Sequence, residues 1–240
     1  MLRLAGKKVF VVGVGPGLGS ATAYLLLKEG ASVVIASRNE DRLKSVKAQL
    51  AIFGQIDYVV GDVSSMEGAK RLVHDAVDKY GSVDHLALIA GDYIDSPIEE
   101  LTEEQLDRMI DANLKSPLYA LSAALQDLKA GSSIVMISSV FGTYATGVRN
   151  VAYSATKAGV AKSVEVLAME LSQKGIRVNA VAPRAMNHDF VPGRDWKSLR
   201  KLGEKACPPE DVASVVVWLL SGESEWIDGA VIPVDGGEKR

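Results

Sequence analysis

The chain of 240 residues has one cysteine, Cys207, and only three histidines, His74, His85 and His188, with no recurrent ligand spacing among them. A lone cysteine excludes an intramolecular disulfide and a thiolate metal cluster, and it is compatible with a reducing compartment. The histidines give no support for a metal site. Basic excess is missing too: 27 Lys and Arg face 30 Asp and Glu, for a net charge of -3, and the two signs are interleaved along the chain. Such a balance leaves no electrostatic footprint for nucleic acid. No apolar run of about 18 residues occurs, and the start lacks the apolar stretch of a signal peptide. A soluble, cytoplasmic protein with no nucleic-acid and no membrane partner is the expectation. Linkers rich in Pro, Gly or Ser and internal repeats are also missing, so residues 1–240 are read as one domain.

What is present is apolar and regularly punctuated. Apolar residues make up 48% of the chain, enough for a substantial core. Short β-branched runs alternate with longer segments of helical period: Val9 to Val12, Val33 to Ala36, Tyr58 to Val60, Leu86 to Ile89, Ile134 to Ile137, Val178 to Val181 and Val231 to Val234. Their near-continuous apolar character suits strands buried on both faces, joined by right-handed helical crossovers. The pattern predicts an α/β fold with a doubly wound, Rossmann-type sheet of seven parallel strands and helices on both faces. Residues 184–209 break the rhythm, with Pro192, Gly193, Pro208 and Pro209 and weak periodicity. A connection that long suits a mobile lid or substrate loop.

After the first strand comes Gly13-Val-Gly15-Pro-Gly17-Leu18-Gly19-Ser20, leading into a helical segment. Glycines permit a tight turn and close approach of a pyrophosphate, and the helix start aims its N–H groups and positive dipole at the phosphates. An acid at the end of the second strand would bind adenosine ribose hydroxyls. Here the sequence has Ser37-Arg38-Asn39 instead. A guanidinium at Arg38 suits a ribose 2'-phosphate, so NADP(H) is preferred over NAD(H).

Tyr153 and Lys157 stand four residues apart, which puts them on one helix face about 6 Å apart along the axis. An ammonium there could favour the phenolate. Function near pH 7 needs the tyrosine pKa lowered by about three units, roughly 4 kcal/mol. The spacing alone is common, and the usual meaning of such a pair is a packed ring beside a solvated amine. Ser139 lies fourteen residues upstream and Asn113 further back.

With the glycine loop, Asn113, Ser139 and Tyr153-x-x-x-Lys157 in order, the chain resembles the short-chain dehydrogenase/reductase family over essentially its full length, and its length and layout are similar to 3-oxoacyl-(acyl-carrier-protein) reductases. The family's glycines fall on Gly13, Gly17 and Gly19, its adenine contact on Asp62 and Val63, and the end of its Asn-Asn-Ala-Gly element on Ala90 and Gly91. The resemblance implies Tyr153 as acid or base, and Ser139 rather than Ser138 as the hydrogen bond to the carbonyl. Lys157 is implied to bind ribose hydroxyls and lower the tyrosine pKa, with Asn113 holding a water that feeds it protons. Cofactor contacts are implied at Gly15, Leu18, Pro183 and Met186 besides those already named. Three departures stand out: Leu88-Ile89 replaces the paired asparagines, Arg184 replaces a glycine, and His188 replaces a hydroxyl residue that often binds the nicotinamide end. The roles of Arg184 and His188 stay open.

The substrate pocket is expected from Tyr93, Phe141, Tyr144, Met186, Phe190 and Trp196, a mainly apolar lining suited to an acyl or steroid-like ketone. Lys129 and Lys174 offer charges to an acidic carrier. A sugar or small-alcohol dehydrogenase is the alternative, and a non-catalytic nucleotide-binding sensor or scaffold is a reading of a different class. The helices expected from Leu114 to Lys129 and from Ala152 to Lys174 have apolar positions beyond one sheet face's needs, including Leu118, Leu121, Val164 and Leu167, which suggest an interface. The family resemblance implies a homotetramer through these two helices, with a dimer as the alternative.

Overall fold

A computed structural model describes residues 2–144, 147–187, 189–204 and 206–237. The seven expected strands form in place: β1 (Lys8–Val12), β2 (Ser32–Ser37), β3 (Ile56–Val60), β4 (His85–Leu88), β5 (Ser133–Ile137), β6 (Arg177–Pro183) and, last in the chain, β9 (Val231–Val234). Two short strands, β7 (Ala185–Met186) and β8 (Ala206–Cys207), pair within the expected substrate loop. The main sheet is parallel throughout, in the order β3-β2-β1-β4-β5-β6-β9. The order reverses direction between β1 and β4, which opens a crevice at their carboxyl ends.

Alternation along the buried strands divides the core. Val9 and Val11 face a cluster that includes α1 (Leu18–Lys28), α2 (Glu40–Leu50) and α8 (Pro209–Leu220). Phe10 and Val12 face the other cluster, with α3 (Met66–Tyr80), α5 (Ser116–Ala124) and α7 (Val151–Leu171). Helix starts are legible as caps. Asn39 accepts the Arg42 N–H, Ser65 accepts the Gly68 N–H, and Thr102 and Gln105 form a reciprocal capping box at α4 (Glu103–Ile110). A further single turn, α6 (Val140–Thr143), follows β5. Most ion pairs are exposed and contribute about 0–1 kcal/mol each, whereas truncating a buried Leu or Ile costs about 2–5 kcal/mol. Burial therefore dominates the stability.

Three sequence expectations need correction. The helix expected from Leu114 to Lys129 is instead α5, ending at Ala124 and entered through a π turn at Asp111–Lys115 that continues directly from α4. Leu121 and Val164, read as interface surplus, are buried in the chain's own core at 3% and 0% exposure, while Val151, Val166 and Met169 are the exposed large apolar residues of α7. Within 184–209, described residues are tethered to α8 and to their own loop rather than left loose. Arg194 donates two hydrogen bonds to the buried Glu210 of α8 at 2.7 and 2.6 Å and a third to the Asp189 carbonyl, and Arg200 pairs with Asp211.

His85 is buried on β4, where its Nδ1 accepts the Ser133 N–H at 3.0 Å. Burial, aided by Lys7 and opposed by Asp84, pushes its pKa down to about 4. Below pH 6.5 the unfolded chain protonates this histidine before the folded one does, so stability is lost as pH falls from 6.5 toward 4. The loss amounts to about 3 kcal/mol for a shift of this size. Denaturant unfolding across that range should show a slope that His85→Gln flattens; equal slopes in both proteins would refute the assignment.

Candidate active site

The crevice begins at a contact that only glycine permits. Gly13 has φ +96, and a Cβ there would lie 2.2 Å from the Ala90 backbone nitrogen. The ends of β1 and β4 thus touch, with the Ile89 and Ala90 N–H groups both donating to the Val12 carbonyl. Leu88 and Ile89 pack into the two core clusters, so apolar contact replaces the paired amides expected at this point. From there a cleft of about 1340 Å³ extends over Gly15, Ser37, Arg38, Asp62, Val63, Ala90 and Gly91.

The phosphate loop divides its glycines by task. Gly19 presses on Val14, where a Cβ would meet backbone at 2.6 Å, whereas positions 15 and 17 face open space. No side chain caps the α1 amino end, which leaves its first N–H groups for an anion. This cradle fits a dinucleotide pyrophosphate. Leu18 is 7% exposed and its side chain belongs to the core, so its backbone is the part that can serve a ligand. Arg38 is exposed and lies 3.8 Å from Asp62, and Ser37 Oγ engages the backbone of Asn39. Arg42, not singled out from the sequence, lines the same cleft one turn into α2. Its signal was a second basic residue four positions after Arg38.

At the other end, β5 and α7 lock together. Lys157 is 3% exposed and its Nζ donates to the Ile137 carbonyl at 2.9 Å. Ser138 Oγ donates to the Lys157 carbonyl at 2.8 Å, which commits Ser138 to structure and leaves Ser139 for the site. Gly142 lets the α6 turn press on α7, since a Cβ there would come within 2.4 Å of the Lys157 backbone. Ser139 Oγ donates to the Pro183 carbonyl at 3.3 Å and accepts the Phe141 N–H. Asn113 is fully buried in the π turn, exchanging two hydrogen bonds with the backbone of Asp92. Around Gly91, a Cβ would lie 2.9 Å from Asn113 Oδ1 and 3.2 Å from Lys157 Nζ, so the strand end, the asparagine and the lysine converge.

The electrostatics differ from the sequence expectation. Burial pushes the Tyr153 phenol up from its ordinary pKa; a hydrogen bond with Ser139 pulls it back and Tyr93 adds to the rise. Lys157, with Nζ 5.7 Å from the Tyr153 ring centroid, is itself pushed down by burial to about 8. The helix-spacing argument counted their attraction and left out desolvation, which both groups suffer.

Of the expected pocket residues, two meet the tyrosine. Tyr93 and Phe141 stand edge-on to Tyr153, with ring centroids 5.0 and 6.2 Å away. Met186 is 40% exposed on β7. Three others go elsewhere. Phe190 is buried in the core against Tyr24, and its N–H donates to the Pro16 carbonyl, tying the loop to the phosphate turn. Trp196 lies beneath its own neighbours Lys197 and Arg200. Tyr144 gives its hydroxyl to Asp235 at 2.6 Å. His188 lies outside the described residues.

Residues 13–239 match the family model described as enoyl-(acyl carrier protein) reductase. The chain is 35% identical to a 3-oxoacyl-[acyl-carrier-protein] reductase of Thermotoga maritima over 98% of this chain and 99% of that protein. Among solved structures, a dehydrogenase/reductase from Sinorhizobium meliloti 1021 superposes with a TM-score of 0.90 at 29% identity, covering 98% of this chain and 96% of its own. A short chain dehydrogenase from Burkholderia cenocepacia J2315 in complex with NADP gives 0.88 at 26% identity, covering 98% of each chain.

Between its folded pKa of about 8 and the ordinary 10.5, Lys157 holds fewer protons folded than unfolded, so this group makes stability rise with pH across that interval. Carbon-13 spectra of labelled lysine side chains should show one ε resonance titrating near pH 8 that is missing in Lys157→Met. Titration of every lysine near its ordinary value would contradict the burial account.

Proposed function

The chain belongs to the short-chain dehydrogenase/reductase family, and from that premise we propose that it reduces a ketone to a secondary alcohol with NADPH, on substrates of the 3-oxoacyl type. At the coarser level it is an NAD(P)-dependent oxidoreductase. The observation that carries the finer reading is the meeting of Tyr153, Ser139 and Lys157, with Lys157 Nζ beside Gly91 at the edge of a cleft shaped for a dinucleotide. When bound, the nicotinamide supplies the hydride that reaches the carbonyl carbon.

The protein's own groups handle the oxygen. Tyr153, kept protonated by burial, gives its hydroxyl proton to the carbonyl oxygen as negative charge develops there. The Ser139 hydroxyl rotates from Pro183 to donate a hydrogen bond to the same oxygen, which stabilises that charge in a site shielded from water. Lys157 then returns a proton toward Tyr153 and binds ribose hydroxyls. Asn113 supports this relay through the π turn, where Pro117 has no N–H to give the Asn113 carbonyl in the ordinary helical register. At the adenosine end Arg38 exchanges its weak contact with Asp62 for the 2'-phosphate, with Ser37 and Arg42 beside it.

The half-exposed Tyr93 and the partly buried Phe141 favour an apolar substrate over a sugar. They also motivate a second reading, a cyclic ketone sandwiched against the rings, since both present edges to Tyr153. A non-catalytic sensor would have no use for Tyr153, Ser139 and Lys157 together. Exposed Val166 and Met169 support assembly through α7 as a homotetramer, which light scattering tests.

Turnover should be measured with NADPH on linear 3-oxoacyl thioesters, cyclic ketones and ketoses. The linear esters should be preferred, and Tyr153→Phe should lower kcat by about 10²–10⁴-fold. Equal, slow NADPH consumption by both proteins would remove the enzyme reading, and a preference for cyclic ketones would move the substrate to the second. For the cofactor, Arg38→Ala should reduce kcat/KM for NADPH by about tenfold, a loss typical of one charged hydrogen-bonding contact, while sparing NADH. A wild-type preference for NADH would contradict the NADP assignment.

A further inference from the structure

We propose that Asp92 and Arg108 form a positioning pair that holds the turn after β4, so that Tyr93 stands edge-on to Tyr153. This rests on the proposed carbonyl reduction for its kinetic consequences but on geometry alone for the holding itself. Four hydrogen bonds and an ion-pair contact meet at Asp92. Arg108, on α4, reaches carboxylate Oδ2 through Nε at 2.6 Å and Nη2 at 2.5 Å. The other carboxylate oxygen accepts the Tyr93 N–H at 2.8 Å. The Asp92 N–H donates to Asn113 Oδ1 at 2.9 Å, and the Asp92 carbonyl accepts from Asn113 Nδ2 at 3.0 Å.

The carboxylate and the backbone of Asp92 divide the work. Toward α7 the carboxylate sets the backbone direction of Tyr93, whose ring is half-exposed and lies 5.0 Å from that of Tyr153. Asn113 is held by the Asp92 N–H and carbonyl, so its alignment beside Lys157 does not depend on the ion pair. The far end of the same loop has its own tether, with the Ser96 N–H donating to the Arg149 carbonyl and Arg149 pairing with Asp95. Without amides at Leu88 and Ile89, the near end depends on Asp92.

The pair is poorly placed for a stability role. Its side chains are 62% exposed at Arg108 and 30% at Asp92, and ion pairs of that exposure contribute little to folding. Loss of Arg108 is thus expected to leave the fold intact and to act on the wall of the site. A wall that contacts substrate but takes no part in proton transfer affects KM more than kcat.

The test compares Arg108→Met, which keeps the long stem, with Arg108→Lys, which restores a cation. Hydrogen exchange at the Tyr93 amide should accelerate at least tenfold in the methionine variant and return at least halfway in the lysine variant. With a ketone that the wild type reduces, KM should rise about fivefold while kcat and the NADPH Kd, read by fluorescence, stay within twofold. Unchanged exchange would overturn the proposal, and so would faster exchange with an unchanged KM. A parallel loss of NADPH affinity and melting temperature would also overturn it, by assigning the pair to general structure. If the wild type reduces no ketone, the proposed function fails, and the exchange measurement still decides whether Arg108 holds the turn.

Discussion

The hydrogen bond from the buried Lys157 ammonium to the Ile137 carbonyl joins the catalytic helix to the centre of the sheet, and the geometry of the site follows from it. A cation taken out of water needs close partners. Here one is a strand-end carbonyl, and the surrounding parts are shaped to keep it. Ser138 spends its hydroxyl on the Lys157 carbonyl, and position 142 has no Cβ, which lets the α6 turn close against the helix. Ser139 is then carried to the Pro183 carbonyl, and Tyr153, one turn before Lys157, is partly buried beside Tyr93 and Phe141. A solvated lysine at the same position would impose none of this.

Burial also decides which way the proton chemistry leans. A phenol raised above its ordinary pKa stays protonated at neutral pH, which suits a donor and hinders a base. Lys157, pushed down to about 8, gives up its proton more readily than a surface lysine does. The two shifts separate groups whose ordinary values nearly coincide: the phenol holds its proton more tightly and the ammonium releases its own more readily, so Lys157 can reprotonate a Tyr153 phenolate. The helical spacing of Tyr153 and Lys157 places the partners; the low-dielectric surroundings tune them.

The parallel sheet was readable because fully buried strands leave uninterrupted β-branched runs, and the phosphate turn because Gly13, Gly15, Gly17 and Gly19 stand between a strand and a helix. Tyr153, Ser139, Asn113 and Lys157 were readable as a set by family resemblance. Phe190 and Trp196 were misread because an aromatic residue in a loop looks the same whether it faces a ligand, a core or its own neighbours' cations. Tyr144 was misread because its partner Asp235 is 91 residues away in sequence. The π turn at Asn113 follows from helix register, which periodicity over so few residues does not resolve. Asp92 could have been noticed as a charge directly after Ala90-Gly91, where an apolar turn would suffice.

The contact between Gly13 and Ala90 divides the crevice into two territories. On one side lie β2 and β3, with Ser37, Arg38 and Asp62; on the other lie β4, β5 and β6, with Gly91, Ser139 and Pro183. The residues named on the two sides stand on or just after different strands, and at the junction itself Gly13 leaves no room for a Cβ. Sequence drift can therefore exchange one dinucleotide for another through the first territory, or one carbonyl compound for another through the second, without either change disturbing the other. A single interdigitated pair of strand ends makes the two specificities separately evolvable traits.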